Sequence, residues 1–366
     1  MKNYRKHIYI LGITMILLSC NQQQKTDKKE VQDKGLKELA DFPIGSAISL
    51  FSIGRDSIKD SLQNKNFNSI TAENAMKMFM IARDSGKYNF EAPDKLLKYA
   101  QEHNQRLFGH ALIWHSGTPK WVEELAKKDS VALDSLMKDY ITTYVSRYKG
   151  KVAGWDVVNE AMNTAGGEYR ETVWYNALGK DYIAKAFTYA HEADPDADLF
   201  YNDFNIERDT AKLNGTLRMV EDLKSKNIPI TGIGFQMHTR MDIPDSLIAY
   251  TLKKAADTGL KIHLSEVDII FNKHDDTQGG GEQIHNELTD EMKQQQAEKY
   301  KNLVLMYRTI VPKEQQFGIT FWGFSDKYTW INGFFNLKDW PSIYDKDLKP
   351  KPAFYGFSEG LTQEIK

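Results

Sequence analysis

VAGWDVVNE, residues 152–160, is an apolar run that stops on an amide and a carboxylate, Asn159 and Glu160. Trp155, Val157 and Val158 are the aromatic and β-branched residues of a strand entering a core. Folding gives no reason for the Asn-Glu pair that follows. Seven other runs share this form: PIGSAISL (43–50), FNSITAEN (67–74), RLFGHALIW (106–114), DLFYNDFN (198–205), TGIGFQMH (231–238), KIHLSEVD (261–268) and FGITFWGF (317–324). Between them lie segments such as SVALDSLMKDYITTYVSRYKG and SLIAYTLKKAADTGL, whose apolar residues recur at helical spacing. Eight such units over roughly 320 residues predict an α/β fold, a (β/α)8 barrel with some long loops. The rival is a doubly wound open sheet, which normally carries a Gly-rich phosphate turn after an early strand; no such turn occurs.

The chain has 366 residues, enough for one large barrel or two ordinary domains. A net charge of −2 leaves no basic footprint, so nucleic acid is not an expected partner. Residues 1–19 read as a targeting segment. Lys2, Arg5 and Lys6 precede an apolar run from Ile8 to Leu18 that is too short to span a bilayer stably. The run ends in Leu-Leu-Ser-Cys, which resembles a bacterial lipoprotein signal with Cys20 as the lipidated mature N-terminus; an ordinary secretory signal and an uncleaved anchor are the alternatives. Cys20 is the sole cysteine, which excludes an intramolecular disulfide. Residues 20–36 are polar and lack apolar periodicity, so they are expected to tether the folded domain, 37–366, to the lipid. A solvated first helix is the other reading. The expected location is membrane-anchored, periplasmic or at the cell surface of a bacterium.

The polar or aromatic ends of seven of the eight runs carry the functional signal. They are Glu73-Asn74, His110 with Trp114, Asn159-Glu160, Asn202-Asp203, Gln236 with His238, Glu266 with Asp268, and Trp322. Each alone could be a helix cap or a satisfied core residue. In a barrel, however, all eight C-terminal strand ends meet at one face, where active sites form. Glu160 and Glu266 each follow an apolar strand directly, from the fourth and seventh runs. Paired carboxylates across a cleft suit cleavage of a glycosidic bond, where one protonates the leaving oxygen and the other attacks or activates water. Seven Trp and 18 Tyr would supply rings for the apolar faces of sugars. No His, Cys and Asp cluster has metal spacing and no G-x-S-x-G elbow occurs, so neither metal nor cofactor is expected.

WDVVNEA, GHALIWHSGTPKW, FNSITAENAMK, YNDFN, GIGFQMH, IHLSEVD and FWGFSD resemble the motifs of glycoside hydrolase family 10, the endo-β-1,4-xylanases, across residues 40–360. The resemblance implies a (β/α)8 barrel that hydrolyses xylan with retention of configuration. It implies Glu160 as general acid/base and Glu266 as nucleophile, with Asn159 on the 2-hydroxyl of the sugar that becomes attached. His238 would orient Glu266, and Asp268 would fix His238. Glu73, Asn74, Lys77, His110 and Trp114 would line the glycone side, with Gln236 nearby. Trp322 and Trp330 would form an aromatic wall and lid, and Asp203 would support the barrel mouth. A cis peptide is implied between His110 and Ala111. One departure is Gly117, which stands after Ser116 where the family usually has Gln, so contacts at the second glycone subsite are lost.

Two other functions fit parts of the pattern. A β-1,4-glucanase on the same barrel would need room for a hydroxymethyl group on every bound sugar. A lipid-anchored β-glycan-binding protein would be an inactive barrel, which the presence of both carboxylates argues against. The chain is expected to act on xylan or xylo-oligosaccharides as a monomer that meets the membrane only through its lipid. The long loop 271–291, with Gly279-Gly280-Gly281, is either a rim that touches substrate or a solvated insertion.

Overall fold

The computed structural model of the protein describes residues 34–274 and 279–365. Its strands in chain order are β1 (Ile44–Ile48), β2 (Ser69–Ala72), β3 (Arg106–Phe108), β4 (Ile113–Trp114), β5 (Gly154–Asn159), β6 (Asp198–Asp203), β7 (Gly232–Phe235), β8 (His238–Arg240), β9 (Lys261–Ile270), β10 (Lys273–His274), β11 (Gly281–Glu282) and β12 (Gln316–Phe321). The main sheet runs β3-β2-β1-β12-β9-β7-β6-β5-β4. Every pairing along it is parallel. Its two ends, β3 and β4, are pieces of one run: β3 pairs with β2, while Gly109 and β4 pair with β5. The sheet therefore closes on itself. Each of the eight quoted runs supplies one position of the expected (β/α)8 barrel.

Both faces of this sheet are covered, so its strands do not alternate. All six residues of β5 are buried, as are nine of the ten in β9. On the outer face, the helix Ser130–Arg147 buries Leu133, Met137, Tyr140, Ile141, Tyr144 and Val145, one stripe at spacings of three and four. Asp129 starts it by accepting hydrogen bonds from the N–H groups of Val131 and Ala132. Tyr144 then meets Trp155 of β5 edge-on, ring centres 5.0 Å apart. The barrel interior is filled below by Phe108, Phe200 and Phe317 around His263. Glycine at 232 makes room for this layer, since a Cβ there would lie 2.1 Å from the ring of Phe200.

Two irregularities bear on the site. Asp156 of β5 pairs with Phe200 while Val158 pairs with Tyr201, so β5 holds one extra residue. Likewise Leu264 pairs with Ile319 and Val267 with Phe321, which puts an extra residue into β9 beside Glu266. These are β-bulges, and each shifts the side-chain alternation by one position.

The folded domain begins before residue 37. Leu36 is fully buried, its N–H donates to Asn66 Oδ1 at 3.3 Å, and Lys37 Nζ donates to the Asn64 carbonyl at 2.7 Å. An apolar side chain with a place in the core is not part of a solvated tether. The targeting segment and Cys20 lie outside the described residues. The stem of the 271–291 loop is likewise held and not merely solvated. The Asp339 carboxylate accepts from the N–H groups of Phe271 and Asn272, and Asn272 Oδ1 accepts from those of Ile284 and His285.

Candidate active site

Twelve of the thirteen side chains expected at the site line one cleft of about 440 Å³ at the C-terminal ends of the strands: Glu73, Asn74, Lys77, His110, Trp114, Asn159, Glu160, Gln236, His238, Glu266, Trp322 and Trp330. The thirteenth, Asp268, lies behind the wall and is buried.

Adjacent residues of a strand point to opposite faces, yet Asn159 and Glu160 both reach the cleft. The backbone explains this. The β5 bulge brings Asp156 and Asn159 onto the inner face together. Glu160 then adopts a left-handed conformation, φ 60°, with its N–H held by the Asn202 carbonyl at 2.9 Å. The His110–Ala111 peptide is cis, as the resemblance implies.

The two carboxylates have different surroundings. Asn159 Nδ2 and Gln236 Nε2 donate to Glu160 Oε1 at 3.1 and 3.0 Å. Asn202 Nδ2 donates both to Asn159 Oδ1, at 2.9 Å, and to Glu266 Oε1, at 2.8 Å. A chain of amides thus joins one glutamate to the other. Glu266 Oε2 also accepts from His238 Nε2 at 3.3 Å, and His238 Nδ1 donates to Asp268 Oδ2 at 3.0 Å. Trp330 Nε1 donates to the same Asp268 oxygen at 3.0 Å, and its ring lies 4.9 Å from that of His238.

Charge is distributed unevenly over these groups. Burial disfavours a charged His238, but Asp268 and Glu266 on its two nitrogens outweigh it and push its pKa up to about 10. At neutral pH it is therefore an imidazolium that donates from both nitrogens. Burial also opposes ionisation of Glu266; its neighbours His110, His238 and Lys77 prevail, and its carboxyl stays below the usual range. Lys77 is deeply buried, which favours its neutral form, while Glu266, Glu160 and Glu73 oppose that shift. Its ammonium lies 4.6 Å from the ring centre of Trp114 and 5.6 Å from that of Trp322.

Several lining or supporting residues escaped the sequence. Asp156 is buried and accepts from His110 Nδ1 at 2.8 Å; burial raises its pKa to about 6 despite that bond. A charged residue inside an apolar run was the available signal. Asn202 was noted only as a polar strand end. His115, Ser116, Arg170, Phe204, His274, Phe334 and Phe335 also line the cleft. Most of these come from loops without strand periodicity. Asp203 sits outside the lining, ion-paired with Lys212 at 2.7 Å where both are fully buried. Gly117 also lies outside the lining, in a short turn where a Cβ would come 3.0 Å from the Trp114 indole. Among the described residues, no group of His, Cys, Asp or Glu is placed to hold a metal ion.

The model of glycosyl hydrolase family 10 matches residues 35–359. The beta-1,4-xylanase of Dictyoglomus thermophilum is 35% identical, over 97% of this chain and 99% of its own. Endo-1,4-beta-xylanase C of Paenibacillus barcinonensis is 35% identical over 92% of this chain, which spans only 32% of that longer protein. Xylanase10C from Cellvibrio japonicus, solved as a mutant in complex with xylopentaose, superposes with a TM-score of 0.84. It is 34% identical, with 90% of this chain and 69% of that chain covered.

Proposed function

The chain belongs to glycosyl hydrolase family 10, and from that premise we propose that it is an endo-1,4-β-xylanase that cuts internal xylosidic bonds with retention. The observation that carries this reading is the pair of glutamates in one cleft with contrasting partners. Glu266, surrounded by His238, His110 and Lys77, is the ionised nucleophile. It attacks the anomeric carbon while Glu160 passes a proton to the leaving oxygen. The ester that forms removes the charge of Glu266, and His238 and Lys77 lose their anionic partner until water releases the sugar. Glu160, now a carboxylate, takes the proton from that water, and the second displacement restores the original configuration. Asn159 holds the 2-hydroxyl of the attached sugar, and the Asn202 amide keeps Asn159 and Glu266 in register.

Substrate choice follows from the walls. Trp322 and Trp330 close over a sugar whose ring carries no hydroxymethyl group. Reducing-sugar release from xylan should exceed that from carboxymethyl-cellulose by at least about tenfold, a difference of one barrier unit of roughly 1.4 kcal/mol. Equal release would favour a β-glucanase, and binding of xylan without product would favour a capture protein.

Cys20, outside the described residues, is the proposed lipid attachment point, supported by the Leu-Leu-Ser-Cys ending. The enzyme would then work as a monomer on a short polar tether, periplasmic or at the cell surface.

A further inference from the structure

A second cavity, of about 520 Å³, opens directly off the cleft and shares Glu73, Trp322 and Trp330 with it. Its remaining walls come from the segment after β1 and the segment after β12. Its chemistry differs from that of the cleft. Arg55, Lys59 and Lys327 line it, against the carboxylates of Asp56 and Glu73.

Asp56 is fully committed. Oδ1 accepts from the N–H groups of Ile58 and Lys59, and Oδ2 accepts from Lys327 Nζ at 2.9 Å and Tyr328 OH at 2.6 Å. Lys59 has a neutral hydrogen-bond partner, Ser52 Oγ at 2.8 Å, and lies 4.6 Å from the ring centre of Tyr328. Arg55 is exposed and has no ion pair among the described residues. Phe51 and Tyr328 stand at the rim, 67% and 42% exposed.

A neutral xylan backbone has no use for Arg55, which has no ion pair among the described residues, or for Lys59, whose ammonium is hydrogen-bonded to a hydroxyl while Glu73, Asp60 and Asp56 act on it from farther off. A carboxylate does, and a sugar bearing one also has an apolar face for an aromatic rim. We propose that this cavity is a subsite for a uronic acid substituent on the xylan chain, with Arg55 and Lys59 binding its carboxylate and Tyr328 and Phe51 its ring. The shared wall at Trp322 sets the attachment: the substituent branches from a sugar bound beside that indole. This assignment rests on the xylanase reading above and names the class of xylan that the cleft prefers.

The test compares kcat/KM on glucuronoxylan, on the same polymer with its carboxyl groups reduced, and on unbranched xylohexaose, at low ionic strength. Arg55→Gln, a change at an exposed position, and Arg55→Gln/Lys59→Met should lose about threefold to tenfold on glucuronoxylan, the size expected of one or two partly exposed ion pairs. On xylohexaose they should stay within about twofold of the parent, a change smaller than one such pair. Carboxyl reduction should bring the parent down to the level of the double variant. Equal losses on all three substrates, or no loss on glucuronoxylan, would overturn the subsite. If the parent cleaves none of them, the activity reading fails separately. Calorimetry with Glu266→Ala then decides the subsite, which stands only if a uronic-acid-bearing xylo-oligosaccharide binds more tightly than the unbranched one.

Discussion

Glu160 and Glu266 are the ends of two apolar runs, and that placement is visible in the sequence because folding has no use for a carboxylate there. What makes them usable is not visible. A one-residue bulge in each strand and a positive φ at Glu160 re-aim the side chains, and such adjustments arise from pairing with a distant strand. Of the groups around Glu266 only His238 was legible, and through resemblance; His110 and Lys77, which come from two other units, were expected only to line the glycone side. The consequence of these neighbours is a pH dependence. Removing the His238 cation should raise the pKa of Glu266, so the acid limb of kcat/KM should move to higher pH in His238→Asn; an unmoved limb would show that His238 does not support the charge. Stability gives a second readout. The pKa of His238 is raised on folding, so its contribution is complete below the unfolded value of about 6.5 and is lost as pH rises through about 10. The stability gap between the parent and His238→Asn, followed by chemical denaturation, should narrow by on the order of a few kcal/mol across that window.

At the scale of elements, eight runs were legible because buried parallel strands are continuously apolar and their ends change character abruptly. Their limits were less so: several runs extend past the hydrogen-bonded strand into the loop that carries the functional residue, as FNSITAEN does beyond Ala72. The start of the domain was misplaced for a related reason. A single leucine at 36, amid polar residues, shows no periodicity, yet it fills a core site under the helix Ser57–Asn66. Leu36→Ala should cost about 2–5 kcal/mol, measured as a fall in unfolding free energy, with activity retained below the transition. The loop after β9 was equally opaque, because its anchor, Asp339, is some seventy residues away in sequence. Asp339→Ala leaves three backbone N–H groups without their acceptor, those of Phe271, Asn272 and Trp340. Hydrogen exchange over 271–274 should accelerate, and KM should rise because His274, Phe334 and Phe335 line the cleft. Unchanged exchange would mean that the stem is held by other contacts.

For the whole molecule, the sequence carries two separable statements. Closure of the barrel followed from repetition alone, and the structure bears it out through the split run Arg106–Trp114 that pairs on both sides. Attachment to a membrane rests on residues outside the described structure, and it makes a distinct prediction. Cys20→Ala should move the enzyme from the membrane fraction to the soluble fraction, with kcat/KM on xylan unaltered, because the cleft is lined by residues from Glu73 onward. Persistent membrane association would exclude lipidation at that cysteine.

The barrel brings one glutamate from the fourth unit and one from the seventh to the same bond, and chemical rescue tests that division of labour most directly. Glu266→Ala should lose activity by several orders of magnitude on every substrate. Glu160→Ala should still form the glycosyl-enzyme from an activated aryl xylobioside, whose phenol leaves without a proton, and should then accumulate it. Azide needs no base. Added to Glu160→Ala it should restore turnover and give the β-xylobiosyl azide, by attack on the covalent intermediate. Added to Glu266→Ala it should give the α-azide, by direct attack from the vacated face. The opposite stereochemistry in the two variants would exchange the roles, and full activity of either variant on xylan would contradict them both.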